Sequence, residues 1–408
     1  MSNDIKQHQT TSKLLLAFSG GLDTTYCAIW LREQGYEVHT ALVDTGGFSA
    51  EELHQTNERA ERLGVASHIV LDRTEAYYQN IIRYLIYGNV LKNNSYPLSV
   101  SAERVYQSIA LAEYARQIGA TAIAHGSTGA GNDQVRFDMA FRLLIPDVEI
   151  ITPVRDQQLS REAEITFLRE RGVDFDFSKA QYSVNRGLWG TSVGGAETLT
   201  SHLALPESAY PTQVSQHQST EITLEFEQGE PVALNGERGT PVEIIQRLET
   251  LAAPYGIGRD VHVGDTIIGI KGRVGFEAAA ATTIIEAHRT LEKHTLGKWQ
   301  IHWKDQLAQW YGMFLHEAQY FDPVMRNLET FLADTQERVS GIVHLTLHPY
   351  RAEIRGIESL YDLMNSGFGD YGEMNRRWTG EDVRGFTKIL ANSALLHRHV
   401  GTTEKSPV

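Results

Sequence analysis

The stretch Ala17-Phe18-Ser19-Gly20-Gly21-Leu22-Asp23-Thr24-Thr25 constrains this chain more than any other. It follows the apolar run Leu14-Leu15-Leu16 and leads into Tyr26-Cys27-Ala28-Ile29-Trp30-Leu31. A short apolar strand must turn sharply through Ser-Gly-Gly and enter an amphipathic helix. Glycine there can take positive φ and lets a ligand approach the backbone closely. The free N–H groups at the helix start, with the positive end of the helix dipole, form an anion site. No G-x-x-x-x-G-K-[ST] is present, so the turn is not a Walker loop.

From Lys13 to about Phe177 the pattern alternates strand and helix. Strands are expected at Val38–Val43, His68–Leu71 and Ala122–Ala124. Ser49 with Glu52 reads as a capping box opening a helix that Gly64 stops. Val105, Tyr106, Ile109, Ala112 and Tyr114 share one helical face that ends at Gly119, and Ser160 to Arg171 reads as a helix stopped by Gly172. This is a parallel α/β layer architecture. Asp44-Thr45-Gly46-Gly47 and His125-Gly126-Ser127-Thr128-Gly129-Ala130-Gly131 also follow strand ends, so three glycine-bearing turns meet at the edge where open α/β sheets bind ligands. The pattern changes near Ser178. Residues 220–236 and 339–356 read as antiparallel hairpins, and 240–255, 281–295 and 303–320 as helices, giving an α+β second domain. Glu373 to His399 contains a C-terminal helix with Phe386, Ile389, Leu390, Leu395 and Leu396 available to a partner chain.

A length of 408 residues suffices for two domains with their own cores. The net charge of −14 argues against nucleic acid as a main partner, because phosphate binding needs a basic face. An anionic ligand must therefore meet local donors. The single cysteine, Cys27, excludes an internal disulfide, suits a reducing cytoplasm, and reads as a buried inert thiol. Met1 to Thr11 has no apolar signal core, and no run reaches membrane-span length. The sixteen histidines show no metal spacing, so no metal ligand is assigned, and His397 and His399 read as surface residues.

The first loop resembles the S-G-G-x-D-[ST] pyrophosphate loop of ATP pyrophosphatases. With His125-Gly126-Ser127-Thr128-Gly129-Ala130-Gly131-Asn132-Asp133-Gln134-Val135-Arg136-Phe137, with Tyr96-Pro97-Leu98…Ser101…Arg104 and with Tyr182-Ser183-Val184-Asn185…Leu188-Trp189-Gly190, the chain is similar to the argininosuccinate synthase family. The resemblance runs from about Lys13 to the C-terminal helix. It implies an ATP-binding domain of the adenine nucleotide alpha hydrolase-like type over 12–177, an α+β synthetase domain over 178–372, and an oligomerisation helix over 373–402. It further implies ATP with Mg²⁺, citrulline and aspartate as small-molecule partners, a cytoplasmic homotetramer, and formation of argininosuccinate through a citrulline–adenylate in arginine biosynthesis, with release of AMP and pyrophosphate.

Carried over by motif, Ala17, Phe18, Ser19, Gly20, Gly21, Leu22, Asp23, Thr24 and Thr25 would bind ATP, with Val43 near adenine and Gly126, Gly129 and Gly131 closing over the nucleotide. Tyr96, Ser101, Asn132, Arg136, Ser183 and Ser192 would hold citrulline. Thr128, Asn132 and Asp133 would hold aspartate, Asp133 by pairing with its ammonium. No catalytic side chain is assigned. Each residue has a plainer alternative: Asp23, Asp133 and Arg136 as helix-terminal charges or surface pairs, Ser183 and Ser192 as turn formers, Tyr96 as a core tyrosine.

Several positions depart from the family pattern. Ala130 stands where Lys is usual, Val105 where Pro is usual, and Ser99-Val100-Ser101 where Gly-Thr-Ser is usual. Gly264 and Phe276 replace a Glu and a Tyr that contact citrulline in the family, with Asp265 as a candidate substitute for the Glu. Two further readings follow: the same ligase chemistry on an N-acylated citrulline, which has no ammonium to pair, or a non-catalytic ATP-binding regulator. RNA thiolases and glutamine amidotransferases need reactive cysteines, for which Cys27 is a poor candidate.

Overall fold

The computed structural model describes residues 12–173, 182–369, 371–373 and 377–400. The expected domain boundary at 177/178 and the end of the expected terminal helix at 402 lie outside them, as do Met1 to Thr11. Two compact units divide between Tyr361 and Asp362.

The first unit opens with β1 (Lys13–Ala17), α1 (Leu22–Glu33), β2 (Glu37–Asp44), α2 (Ala50–Arg62) and β3 (Ser67–Asp72). A continuous helical run follows: α3 (Thr74–Tyr77), a π turn (Tyr78–Ile82) and α4 (Arg83–Tyr87). Next come α5 (Ser99–Ile118), β4 (Ala122–Ala124), α6 (Asp133–Leu144), β5 (Glu149–Ile151), α7 (Pro153–Asp156) and α8 (Arg161–Glu170). The five strands form one parallel sheet in the order β3-β2-β1-β4-β5. Leu14, Leu15 and Leu16 are all fully buried. Leu14 and Leu16 join Tyr26, Cys27 and Leu31 of α1 on one face, and Leu15 joins Ala41, Ile123, Phe137 and Phe141 on the other. Helices on both faces explain why the strand is uniformly apolar. The Ser49–Glu52 capping box is formed, and Gly64 and Gly119 end their helices at φ +67° and +66°.

The chain continues through two antiparallel sheets. β6 (Ser183–Gly187) and β7 (Gly190–Gly194) pair with β11 (Arg259–Asp265) and β12 (Lys271–Glu277) in the order β11-β12-β7-β6. The expected hairpins are β8 (Thr220–Glu227) with β9 (Glu230–Leu234) and β13 (Gly341–His348) with β14 (Arg351–Glu358). With β10 (Glu237–Arg238) they share a second sheet, β10-β9-β8-β13-β14. Helices α9 (Pro241–Ala252), α10 (Ala279–Thr295), α11 (Lys298–His316) and α12 (Pro323–Asp334) pack with them. The helix expected over 303–320 instead begins after Gly297, whose amide bonds the Gln300 side chain, and stops at His316. Among the described residues no helix is long and apolar enough to cross a membrane.

The second unit, described by itself, carries α13 (Gly380–Leu390) and α14 (Asn392–His399). The single expected terminal helix is thus two segments. Thr379 and Asp382 cap the first reciprocally.

One charged network lies deep in the first unit. Lys304 on α11, with no exposure, sits 2.8 Å from Glu292 on α10. Asn89 and Gln336 donate to the same carboxylate, and His288 bridges those two amides at 2.7 and 2.8 Å. Removing one partner strands a buried charge. Lys304→Met is expected to cost about 3–5 kcal/mol, read as a lowered melting temperature. Lys304→Met with Glu292→Leu is expected to recover much of that loss; a double variant no more stable than the single would contradict it.

Candidate active site

The loop after β1 turns with Gly20 at φ +72° and enters α1 without a side-chain cap. Its backbone is held from both sides. The Phe18 amide donates to the Ala41 carbonyl at 2.9 Å, and the Arg59 guanidinium of α2 donates to the Gly20 carbonyl. A Cβ on Gly126 would come within 3.1 Å of the Asp23 Cβ and 3.3 Å of the Thr24 nitrogen, so the two glycine loops touch. β1 lies between β2 and β4, and beyond their touching loops α1 and α6 pack on opposite faces of the sheet. This is the switch point where an open parallel sheet leaves a crevice.

The loop after β4 is braced by its own side chains. His125 accepts from the Ser127 amide through Nδ1 at 3.2 Å and meets Asp138 through Nε2 at 2.9 Å. Burial opposes ionisation of Asp138, but the bonds from His125 and Arg155 outweigh it and hold that carboxyl below its ordinary range. Gln134 donates to the Gly129 carbonyl at 2.6 Å.

Asp133 at the start of α6 is the electrostatic centre. Arg104 Nε and Arg136 Nη1 each hold one of its oxygens at 3.0 Å. Burial raises the Asp133 pKa, yet the two guanidiniums overcome it and keep the carboxylate ionised. Arg104 reaches on to Asn185 of β6. Arg136 Nη2 donates to Ser101 Oγ at 3.0 Å and to the His316 carbonyl at 3.1 Å, while its Nε has no protein partner. Asn132 accepts from the Ile267 amide at 2.8 Å, tying this loop to the β11–β12 turn. Arg104 Nη1 also lies 3.3 Å from the buried Glu103 carboxyl, so two guanidiniums and two carboxyl groups share this cluster, and the planar forks of the guanidiniums suit carboxylate ligands.

Tyr96 is buried, its hydroxyl accepting from the Val100 amide at 3.1 Å. Its ring stacks on His262 at 5.0 Å and leans on Phe276 at 5.3 Å. A Cβ on Gly264 would fall 2.6 Å from His262 Nε2, so the imidazole occupies the space that a side chain at 264 would need. Burial lowers the His262 pKa, helped by Lys92. Burial, with Arg136 and Lys92, pushes His316 down to about 3. Both imidazoles are neutral at pH 7.

These elements border one cavity of about 1590 Å³. Ala17 to Thr24, Val43, Gly126, Thr128, Gly131, Asn132, Asp133 and Arg136 line it from the parallel-sheet side. Tyr96, Ser101, Ser183 and Ser192 line it as well. Thr25 and Gly129 do not reach its wall: Thr25 is fully buried in the helix core, and Gly129 packs nearest the Arg155 stem. Asp265 lines the mouth but its carboxylate bonds Lys271 at 2.7 Å. Sequence reasoning did not find Arg59, Glu103, His262 or His316 as site residues. Each comes from a different element, and Glu103, though it lies between Ser101 and Arg104 of a motif, is not one of that motif's marked positions. Glu103 accepts from Thr45 at 2.6 Å and braces the turn after β2.

Two family models match the chain: the arginosuccinate synthase N-terminal HUP domain over residues 13–174 and the arginosuccinate synthase C-terminal domain over 182–396. Argininosuccinate synthase of Xanthomonas campestris pv. campestris is 36% identical over 96% of this chain and 99% of its own length. The enzyme of that name from Methanocaldococcus jannaschii is 34% identical over 94% and 97%. That from Dictyoglomus thermophilum is 38% identical over 93% and 95%. The loop at β1, the Asp133 cluster and both sheets around the cavity lie within these matches, and the chain belongs to the argininosuccinate synthase family.

Proposed function

We propose that this chain is a ligase that joins citrulline to aspartate at the expense of ATP. The ureido oxygen of citrulline attacks the α-phosphorus and expels pyrophosphate. The aspartate amine then attacks the activated carbon, loses a proton and expels AMP, leaving argininosuccinate. Two easier displacements replace one difficult one. ATP enters as its magnesium complex, the cation being part of the substrate. Ser19 to Thr24 would hold the phosphates on the amides at the α1 start. Arg136, in the cavity wall, would turn its guanidinium to the citrulline carboxylate. Thr128 and Asn132 would hold aspartate; its ammonium would share Asp133 with two guanidiniums. The cytoplasmic location and the homotetramer through the last helices belong to the same reading, as do the domain bounds.

The observation that carries this reading is the meeting of the β1 and β4 loops and the Arg104–Asp133–Arg136 cluster in one cavity. Sustained pyrophosphate release is expected only when ATP, aspartate and a citrulline acceptor are all present, with at most a single turnover when aspartate is left out. Binding of ATP with no release in the presence of aspartate and either acceptor would return the chain to a nucleotide-binding regulator. Arg136→Lys keeps the charge but loses the fork. It is expected to lower kcat/KM for the acceptor about 10- to 100-fold, the value of one to two charged hydrogen bonds, with KM for ATP little changed.

A second acceptor is favoured by one observation. His262 fills the place of any side chain at 264, and Asp265 is spent on Lys271. The wall around Tyr96 then presents the neutral imidazoles of His262 and His316, which suit an amide better than an ammonium. On that reading Nα-acetylcitrulline gives the higher kcat/KM. Tight use of free citrulline with no turnover of the acetylated form would eliminate it.

A further inference from the structure

Neither glycine loop brings a cation to the phosphates it would meet. Ser19 to Thr24 carries one charged side chain, Asp23, and Gly126 to Gly131 carries none. Among the described residues six arginines line the cavity, and five of them are engaged. Arg59 donates to the Gly20 carbonyl, and Arg104 and Arg136 hold Asp133. Arg186 lies 3.4 Å from Glu52, and Arg273 donates to the Thr200 and Leu203 carbonyls. The sixth, Arg161, makes no hydrogen bond or ion pair among the described residues.

Helix register places Arg161 beside the first loop. Helices α1 and α8 run side by side in the same direction. Arg171, just past the end of α8, grips Glu33 at the end of α1 at 2.7 and 3.0 Å, and Phe167 packs edge-on to Tyr26 at 4.6 Å. Arg161 stands six residues before Phe167, and Gly20 six before Tyr26. At about 1.5 Å per helical residue, the start of α8 comes level with the loop that opens α1. A cation in the first turn of a helix opposes the helix dipole. Arg161 is also exposed, so the stability of α8 does not account for it. We infer that Arg161 binds the β- and γ-phosphates of ATP and the pyrophosphate they become. The inference rests on the reading that the first loop holds those phosphates. As the ureido oxygen bonds to the α-phosphorus, the bond from that phosphorus to the bridging oxygen breaks, and its electron pair stays on the pyrophosphate. A planar guanidinium fork at that group meets the charge where it develops.

The test is calorimetric titration of the intact chain with magnesium pyrophosphate and, separately, with AMP. In Arg161→Ala the dissociation constant for magnesium pyrophosphate is expected to rise about 10- to 100-fold, the value of one to two charged hydrogen bonds, with that for AMP unchanged. Arg161→Lys, which keeps the charge without the fork, is expected to fall between wild type and Arg161→Ala. Arg161→Ala is expected to melt at the wild-type temperature or slightly above it, because a cation leaves the positive end of a helix. Unchanged pyrophosphate affinity in Arg161→Ala, an equal loss for AMP, or no binding of magnesium pyrophosphate to the wild type overturns the inference. Loss of pyrophosphate affinity in a chain that releases no pyrophosphate with either acceptor would retain Arg161 in this role while refuting the ligase reading.

Discussion

The carboxylate of Asp133 between two guanidiniums is the interaction on which the site depends. Arg104 comes from α5 and Arg136 from α6, so the ion cluster clamps two helices that flank the parallel sheet. Through Asn185 it reaches the antiparallel layer, and through the His316 carbonyl it reaches the end of α11. Burying these charges is costly, and the cost is offset only when every partner is in place. The cluster therefore makes the cavity wall conditional on the correct meeting of both layers.

Around that clamp the two glycine loops play different parts. The first offers open backbone amides at the start of α1. The second is stiffened by His125, Asp138, Arg155 and Gln134. Gly47 shows how close the layers come: a Cβ there would lie 2.0 Å from the Arg186 carbonyl of β6. Only a residue without a side chain permits that approach.

Much of this was legible in the sequence because the signals are local. The strand–turn–helix at Leu14 to Leu31, the Ser49 capping box and the glycine stops at 64 and 119 each depend on neighbours within a few residues. The same holds for the hairpins at 220 and 339. Site residues inside motifs, such as Asp133 and Arg136, could be named for the same reason. His262 and His316 could not. Their roles come from packing against Tyr96 and Arg136, more than 160 residues away in sequence, and no periodicity encodes such a contact. The start of α11 was misplaced because Lys298 to His302 mixes aromatic and polar residues, and its entry depends on Gly297 and Gln300 rather than on an apolar stripe.

The end of α11 closing on Arg136 also bears on the order in which a nascent chain becomes competent. Chain growth runs from the amino terminus, so the nucleotide loops and their parallel sheet leave the ribosome long before residue 316. Until then Arg136 has neither the His316 carbonyl nor the imidazole beside it, and the acceptor wall lacks one side. At ~5–20 residues per second, many seconds separate the emergence of the nucleotide loops from that of residue 316. In this architecture the side of the cavity for the attacking group is the last to be supplied.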